Sequence, residues 1–392
     1  MGKVCVFFKS IPALFVQLNC IILAGIMALS PTLAAGFKPI GIKDTESVEF
    51  AKNLGTGWNL GDTLDAIDRS LSCSEMTGLD SETLWTNPYT TKEMIEYVKN
   101  SGFGFIRIPV TWRHHFKMEG GYEIDKAWLD RVQQIVDWSL ECGLKAIINI
   151  HHDTTMNETQ PDQWFIDDEE HYESTKTIVK ALWGQIADRF KDYDENLIFE
   201  IFNEPGYLYA KYKGHGNNES RAVLNKLNMD AFETIRAAGG KNDTRYVLFP
   251  THGAVNDYQC SSAIELPDDP HVLVSVHCYV MENNNIWKHM LMIQRFFLNK
   301  GYGTVITEFG RQYWEIAEDG TWIRRYEQSN EEDRKILDGI AETYKYYIDT
   351  AKRFGISCCI WDDGQSFMLF DRRNLSWKYP QIVNALTGYT VQ

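Results

Sequence analysis

Two glutamates have the residue type and the setting for acid–base and nucleophilic chemistry. Glu204 follows an apolar run within Asn203-Glu204-Pro205, and Glu308 ends another apolar run. Paired carboxyl groups suit glycoside hydrolysis, in which a protonated carboxyl donates to the leaving oxygen while an ionised one attacks the anomeric carbon. Two structural glutamates held in salt bridges are the alternative. Because both carboxyl groups follow strand-like runs and Asn203 adjoins one of them, the pattern favours catalysis.

Other polar and aromatic residues end similar apolar runs. They are Arg107, His151-His152-Asp153, His277 with Tyr279, and Trp361. Charged side chains on buried strands cost free energy unless they are paired or functional, so this distribution indicates a site. Arg107 is a cation that could hold Glu308 ionised. Trp361 and Trp164 are candidates for stacking on pyranose rings, with a role in the core as the alternative.

The adjacent residues His151 and His152 could also be read as metal ligands. Neighbouring residues on a regular strand point to opposite faces, so we do not expect both histidines to bind one ion. The sequence also lacks the H-E-x-x-H helix pattern of a zinc hydrolase. We therefore predict no metal and no cofactor, and we expect the histidines to hydrogen-bond sugar hydroxyls.

The elements that must position these residues alternate along the chain. Eight short apolar runs are at 57–60, 105–109, 146–150, 197–202, 246–249, 273–277, 304–308 and 356–361. Helical patterns fill most gaps, at 92–100, 126–142, 174–190, 221–238, 286–299 and 331–354. Eight strand–helix units predict an α/β fold of the (β/α)8 TIM barrel type, in which the carboxyl ends of the strands meet at one face. An open doubly wound sheet is the alternative, but the chain lacks its Gly-rich phosphate fingerprint.

The first 35 residues differ from the rest of the chain. Two lysines precede an uncharged, largely apolar run that ends in small residues. This pattern predicts a secretory signal peptide over residues 1–35, which leaves 36–392 as one catalytic domain of an extracellular protein. An uncleaved membrane anchor is the alternative, and it is weakened by the polar Gln17 and the helix-breaking Pro31.

The overall charge narrows the range of partners. The chain has 39 basic and 54 acidic residues, a formal net charge of −15. An acidic surface argues against nucleic acid, anionic membranes and acidic polysaccharides, whereas a neutral polymer remains compatible. No obligatory protein partner is evident from the sequence.

Seven ordered segments resemble glycoside hydrolase family 5. They are GWNLGDTLDA (57–66), IRIPVTW (106–112), NIHHD (149–153), FNEP (202–205), VHCY (276–279), TEFG (307–310) and WDDG (361–364). The resemblance implies a retaining barrel enzyme with Glu204 as acid/base and Glu308 as nucleophile. It further implies that Arg107 and Tyr279 hydrogen-bond the nucleophile, that Asn203 holds the sugar 2-hydroxyl, that His151 and His277 shape the catalytic subsite, and that Trp361 forms its floor. A cis peptide bond after Trp361 is also implied.

The opening segment is most similar to the endoglucanase branch that also contains xyloglucanases and lichenases. The expected function is a secreted endo-β-1,4-glucanase of the cellulase type that acts on β-glucan polysaccharide by double displacement. Xyloglucan, mixed-linkage glucan, xylan and mannan remain alternative substrates, and a non-catalytic carbohydrate-binding barrel is the alternative from another class. Asn59, Asp62 and Asp65 of the opening segment are candidate binding or supporting residues.

Two positions depart from the family pattern. Asp62 and Asp363 stand where that branch usually has Asn. An Asp cannot donate a hydrogen bond as an Asn amide does, so subsite affinity and pH response are expected to differ if either residue contacts sugar, while catalytic competence should survive.

Overall fold

Eight parallel strands form a closed barrel in the computed structural model. In chain order, the barrel strands and the strands of two smaller sheets are β1 (Thr56–Asn59), β2 (Phe105–Ile108), β3 (Lys145–Asn149), β4 (Leu197–Glu200), β5 (Val247–Val255), β6 (Val272–His277), β7 (Gly303–Phe309), β8 (Trp314–Ile316), β9 (Trp322–Arg324), β10 (Ser357–Ile360), β11 (Phe370–Asp371) and β12 (Ser376–Trp377). The barrel order is β1-β10-β7-β6-β5-β4-β3-β2, while β8 pairs with β9 and β11 with β12 in two small antiparallel sheets. The predicted (β/α)8 barrel is confirmed, and the open-sheet alternative is wrong.

Most of the helices lie between successive barrel strands, while the first precedes β1 and the last follows β10. In chain order they are α1 (Glu46–Asn53), α2 (Lys92–Asn100), α3 (Lys126–Glu141), α4 (Tyr172–Arg189), α5 (Asn218–Ala237), α6 (Tyr258–Ala263), α7 (Asn283–Phe296), α8 (Glu331–Phe354) and α9 (Pro380–Thr387). Short 3-10 turns occupy Leu79–Thr83, Gly240–Thr244 and Leu298–Lys300. Local sequence fixes the ends of α8: Asn330 accepts hydrogen bonds from the first turn, and Gly355 ends the helix with a φ of 72°.

The structure describes residues 18, 19, 21–23, 25, 36–154, 163–206, 215–316 and 322–391. Most of the predicted signal peptide therefore lies outside the described residues. Within these ranges, no helix has the length and apolar character needed to cross a membrane.

The barrel interior changes from apolar to polar along each strand. Its apolar layer is formed by Phe105, Ile147, Ile198, Leu248, Leu273, Val305 and Cys359, with Ala51 and Leu54 packed against them. Side chains two positions apart share a face of a strand. The next inward positions on four strands are polar and fully buried: Asn59, Arg107, Asn149 and Glu200. The fold thus places polar groups at the carboxyl ends of the strands, next to the apolar layer of the barrel interior.

Gly57 makes room for the largest ring of the apolar layer. A Cβ at this position would lie 2.4 Å from the Phe105 ring on the adjacent strand. Trp58 and Ile106, the next residues on these two strands, pair in parallel register. The close approach of β1 and β2 therefore depends on the absence of a side chain at Gly57.

Candidate active site

Arg107 lies at the centre of a buried hydrogen-bond network at the carboxyl end of the barrel. Its Nη1 donates to Glu308 Oε1 at 2.8 Å and to Asn59 Oδ1 at 2.9 Å. Its Nε donates to Glu200 Oε2 at 2.7 Å, and its Nη2 donates to Asn203 Oδ1 at 2.7 Å. Burial acts to lower the pKa of Arg107, but Glu200 and Glu308 outweigh burial and raise it. One guanidinium therefore orients the carboxylate of Glu308. Because it also binds Asn203 Oδ1, the NH₂ group of Asn203 points away from Arg107 and can donate to another group.

Glu308 accepts hydrogen bonds on both carboxylate oxygens. Arg107 binds Oε1, and the Tyr279 hydroxyl donates to Oε2 at 2.7 Å. Burial, followed by the charge of Glu308, raises the pKa of Tyr279 well above its ordinary value, so the phenol keeps the proton that it donates. These contacts fix the orientation of the Glu308 carboxylate and match the partners that the sequence assigned to a nucleophile.

His277 bridges the two glutamates. Its Nδ1 lies 2.7 Å from Glu204 Oε1 and 3.4 Å from Glu308 Oε2. One carboxylate oxygen of Glu204 lies within 4.8 Å of one of Glu308. Burial acts to lower the pKa of His277, but Glu308 and Glu204 raise it above its ordinary value. A positively charged imidazole between two carboxyl groups is therefore favoured.

His151 and His152 both face Asp65, which corrects the expectation that they point to opposite faces. The Nε2 atoms lie 3.9 Å and 3.7 Å from Asp65 Oδ2. The physical reason is that β3 ends at Asn149, so the alternation of a regular strand does not extend to either histidine. Burial lowers the pKa of His152 to about 3 and that of His151 well below its ordinary value, so both rings are neutral.

Asp65, His151 and His152 are close enough to share an ion, as are Glu204, His277 and Glu308. In the first group, a hydrogen bond fixes which nitrogen of His151 is protonated. Asn149 Oδ1 accepts from the backbone of Val110 at 3.1 Å, so the Asn149 NH₂ group faces His151 Nδ1, also at 3.1 Å. Nδ1 must then accept, and Nε2 carries the proton. A protonated Nε2 is a donor for a hydroxyl group and a poor metal ligand, so this donor set does not fit a metal.

An open cleft of about 680 Å³ lies at this face of the barrel. Its lining consists of His151, His152, Asn203, Glu204, Tyr279, Met281, Glu282, Glu308, Gly310, Arg311, Gln312, Trp361 and Phe367. Of the candidate site residues, His277 adjoins the two lining glutamates and Arg107 is buried beneath them. Asn59 is fully buried and supports Arg107, so it does not line the cleft.

Trp361 lies in the cleft with its indole parallel to the His151 ring, at 5.9 Å between centroids and an interplanar angle of 5°. The peptide bond after Trp361 is trans, because none of the described peptide bonds is cis, so the expected cis bond is wrong. Trp164 is placed differently from the prediction. It is buried in the core and donates from Nε1 to Asp153 Oδ1 at 3.1 Å. Its loop position in the sequence carried no information about burial.

Glu200 and Asn149 belong to the site but were not predicted from the sequence. Glu200 Oε2 accepts from Arg107 and also from Asn149 Nδ2, at 2.8 Å. Glu200 could have been predicted from the sequence, because it is a charged residue within the apolar run Leu197–Phe202 and shares the inward face of the strand with Ile198. Asn149 belongs to a quoted motif, but only the structure shows that it selects the His151 tautomer.

The chain matches known sequences over most of its length. The family model for cellulase (glycosyl hydrolase family 5) matches residues 68–366. The chain is 34% identical to Endoglucanase A of Clostridium longisporum over an alignment of 402 positions, which covers 95% of this chain and 72% of that protein. It is also 34% identical to cellulase/esterase CelE of Acetivibrio thermocellus over 372 residues, covering 88% of this chain but only 41% of that protein.

Three solved structures are also similar to this chain. The GH5-4 broad specificity endoglucanase from Clostridium acetobutylicum is 31% identical with a TM-score of 0.74, covering 88% of this chain and 100% of that one. A xyloglucan-specific endo-β-1,4-glucanase from a metagenomic library, in complex with cellotriose, is 30% identical with a TM-score of 0.74, covering 87% and 98%. A lichenase from Caldicellulosiruptor sp. F32, in complex with cellotetraose, is 31% identical with a TM-score of 0.76, covering 89% and 96%.

Proposed function

The chain belongs to glycosyl hydrolase family 5, and from that premise we propose that it is a secreted endo-β-1,4-glucanase that hydrolyses cellulose-type β-glucans with retention of configuration. The observation that carries the proposal is the spacing of two carboxyl groups: an oxygen of Glu204 lies within 4.8 Å of an oxygen of Glu308. Retaining enzymes place the two groups about 5–5.5 Å apart, whereas inverting enzymes leave about 6.5–9.5 Å for a water molecule.

In the first step, a carboxylate oxygen of Glu308 attacks the anomeric carbon. The bond to the leaving oxygen breaks, and that oxygen takes the proton of Glu204, giving a glycosyl-enzyme ester and a shortened glucan. Arg107 and Tyr279 hold the carboxylate of Glu308 in one orientation for the attack. Positioning of this kind lowers the barrier because the reacting atoms need little further ordering.

In the second step, Glu204 is ionised and acts as a base. It removes a proton from a water molecule, whose oxygen attacks the anomeric carbon and releases Glu308 as the free carboxylate. Arg107 and Tyr279 then donate to the charge that returns to Glu308. His277 donates from Nδ1 towards Glu204 Oε1 at 2.7 Å, so it supports Glu204 when that group is ionised.

The shape of the cleft supports endo action. The cleft is open, and its lining includes both glutamates together with His152, Trp361, Met281, Glu282 and Arg311. An open groove accepts a chain that extends on both sides of the scissile bond, whereas a closed pocket accepts a chain end. The Asn203 NH₂ group and His151 Nε2–H are placed to donate to sugar hydroxyls.

Two other β-glucans are alternative candidates for the substrate. Similar structures include a xyloglucan-specific enzyme, a lichenase and an endoglucanase of broad specificity, with TM-scores of 0.74 to 0.76. We therefore propose cellulose-type β-1,4-glucan as the main substrate, with mixed-linkage glucan and xyloglucan as the alternatives. Xylan and mannan remain the less favoured backbones.

A polysaccharide panel with product analysis tests this assignment. Swollen cellulose, mixed-linkage glucan, xyloglucan, xylan and mannan would be incubated with the protein. We expect soluble oligosaccharides from the glucans, with viscosity falling faster than reducing ends appear. Activity that is highest on xylan or mannan would contradict the glucan assignment, and release of cellobiose alone would contradict endo action. Unchanged activity in a chelator is expected, because the mechanism uses no metal or other cofactor.

Secretion is proposed from the composition of residues 1–35. Sequencing the N-terminus of the protein recovered from culture medium is expected to give a start near Gly36. Retention of Met1 in a membrane fraction would favour the anchor instead. The proposed partner is a neutral β-glucan polysaccharide, with no nucleic acid and no obligatory protein partner, in keeping with the net charge of −15.

A further inference from the structure

The carboxyl end of β5 is irregular at the point where it passes the backbone after Glu204. The pairing of β5 with β6 shifts its register there, and we call residues 251–254 the β5 bulge. Gly253 has a φ of 59° and Ala254 a φ of 52°. This left-handed region is uncommon for a residue other than glycine. Bulges re-aim side chains and are frequent next to active sites, so the contacts of this one are of interest.

The β5 bulge contacts the two residues that follow Glu204. The Gly253 N–H donates to the Pro205 carbonyl at 2.8 Å. The His252 ring packs on Gly206, where an added Cβ would lie 2.9 Å from Cε1. The ring can approach this closely because Gly206 has no side chain. The bulge therefore supports the backbone directly after the acid/base.

The end of β3 holds the same backbone from the other side. The Asn203 N–H donates to the Ile150 carbonyl at 3.0 Å, and the Gly206 N–H donates to the Thr154 carbonyl at 3.2 Å. Residues 203–206 are thus held by two hydrogen bonds from the β3 side, and by one hydrogen bond and one ring from the β5 side. Of these four contacts, the ring of His252 is the one made by a side chain, so mutation can remove it.

A buried pair keeps the His252 ring in place. Its Nε2 lies 2.7 Å from Asp167 Oδ2, and both side chains are almost completely buried. A carboxylate oxygen can only accept, so Nε2 carries the proton. Gly216, just before α5, packs on the same nitrogen, since a Cβ there would lie 2.6 Å away. Among the described residues, the cleft lining includes neither His252 nor Asp167, so the pair acts from outside the glucan site.

We propose that His252, held by Asp167, is a positioning residue for Glu204. Its ring supports the backbone at Gly206 and so keeps the Glu204 carboxyl group aligned with the leaving oxygen. This proposal rests on the proposed function and deepens it. His277 contacts Glu204 Oε1 at 2.7 Å, but that contact does not fix the backbone from which the side chain extends. Misplacing a reacting group by about 1 Å can cost about 10²-fold in rate.

The dependence of kcat/KM on the leaving group tests this role. This constant covers the steps up to the glycosyl-enzyme. A phenyl β-cellotrioside needs the acid in those steps, whereas a dinitrophenyl β-cellotrioside leaves without protonation. For His252→Asn we expect kcat/KM to fall roughly 10- to 100-fold with the phenyl substrate and less than about twofold with the dinitrophenyl substrate. Equal losses with both substrates would overturn the inference.

His115→Asn is the matched control. The His115 ring is also buried, and it stacks on Trp128 of α3 at 3.6 Å between centroids. Its loss is expected to change kcat/KM for the two substrates by the same factor. A difference between the substrates as large as that in His252→Asn would mean that any lost buried ring produces it, and would overturn the inference.

The partner of His252 supplies a second pair of variants, which decides the question if His252→Asn does not fold. Asp167→Ala releases the ring and is expected to impair the phenyl substrate selectively. Asp167→Asn keeps an amide oxygen that accepts from Nε2–H, so it should restore most of the lost kcat/KM. Equal effects of Asp167→Ala on the two substrates would contradict the proposed role.

A double-mutant cycle separates positioning from a general loss. In the Glu204→Ala protein no acid remains to be misplaced, so adding His252→Asn is expected to change kcat/KM for the phenyl substrate less than about twofold. A further loss as large as in the unmutated protein would overturn the inference alone. Failure of the unmutated protein to cleave either glycoside would instead contradict the proposed function, and the inference with it.

Discussion

Arg107 donates from Nη1 to Glu308 Oε1 at 2.8 Å, and the Arg107 side chain is completely buried. The same guanidinium reaches Glu200 and Asn203, so the orientation of the proposed nucleophile is tied to the orientation of a sugar-binding amide. A lysine has one compact donor group and cannot reproduce this planar fork. The geometry of the site therefore depends on the shape of Arg107 as well as on its charge.

Arg107→Lys is expected to lower kcat about 10²- to 10³-fold, the range seen when one donor to the reacting charge is lost. KM should change far less, because the cation is preserved. Steady-state kinetics on a soluble glucan measures both parameters. Arg236→Lys is a suitable control, because Arg236 also binds a carboxylate, Asp269, but outside the cleft. Equal losses in the two variants would show that Arg107 acts only through stability.

We expect the contribution of His277 to the stability of the folded protein to depend on pH. Its pKa is raised in the folded protein above the ordinary value of about 6.5, because Glu308 and Glu204 outweigh the opposing effect of burial. A raised pKa contributes stability in full below the ordinary value and loses it as the pH rises through the folded value. The advantage of the protein over His277→Asn in free energy of unfolding should therefore be larger at pH 6 than at pH 9, as measured by chemical denaturation.

His115 provides a control with the opposite sign. Burial lowers its pKa to about 3, so it is neutral in the folded protein at both pH values. The unfolded chain gains a proton near pH 6.5, which lowers stability at pH 6 relative to pH 9. The advantage of the protein over His115→Asn should grow with pH. If the two variants changed with pH in the same direction, the assigned charge of His277 would be wrong.

The two tryptophans that the sequence could not separate should behave differently. Trp361→Ala removes a ring of the cleft and is expected to raise KM for cello-oligosaccharides about tenfold, with a small change in unfolding temperature. Trp164→Phe removes the hydrogen bond to Asp153 inside the core and is expected to cost about 1–3 kcal/mol of stability. Its KM should stay within about twofold of the parent, in keeping with the absence of substrate contact. A large KM effect of Trp164→Phe would place that ring in the glucan site after all.

Glycine substitutions test the packing of the barrel base. Gly57→Ala would place a Cβ 2.4 Å from the Phe105 ring, so we expect a loss of about 1–3 kcal/mol from overpacking. Gly339 lies within α8 with no atom within 4 Å of an added Cβ, so Gly339→Ala is expected to stabilise by about 0.5–1 kcal/mol. Thermal unfolding of both variants measures the difference. Adding Phe105→Leu to Gly57→Ala should recover part of the loss, and no recovery would argue against this contact as the cause.

Much of the barrel was predictable from sequence for a physical reason. Strands buried on both faces read as short apolar runs, and all eight runs coincide with barrel strands. The predicted bounds of α2 and α8 agree with the structure, because each helix has a clear apolar periodicity and a capping residue, Thr91 and Asn330. The helix Glu46–Asn53 was missed, since two turns are too short to show a period.

The site was predictable only as a set of positions. The sequence located Glu204, Glu308, Arg107 and Tyr279, because polar residues at strand ends converge in any such barrel. It could not show that Glu200 neutralises Arg107, because the partner of a side chain across the barrel depends on strand register. Nor could it show that His151 and His152 face the same side, which follows from the end of β3 at Asn149.

Glu204 and Glu308 have different proposed roles, so their alanine variants should lose activity in different ways. With an oligosaccharide that bears a very good leaving group, Glu204→Ala should form the glycosyl-enzyme quickly and then stall, because no base activates water. Glu308→Ala lacks the attacking group, so a better leaving group cannot rescue its first step. Burst kinetics distinguishes the two, since only Glu204→Ala should release one equivalent of leaving group rapidly.

The most direct measurement is the configuration of the glycosyl azide that each variant forms when azide is added. Azide needs no deprotonation, so in Glu204→Ala it should displace Glu308 from the glycosyl-enzyme and give the β-azide, with configuration retained. In Glu308→Ala, azide can only fill the vacated space and attack the substrate directly, giving the α-azide. NMR of the two products distinguishes the α-azide from the β-azide. A β-azide from Glu308→Ala together with an α-azide from Glu204→Ala would contradict the account and reverse the two roles.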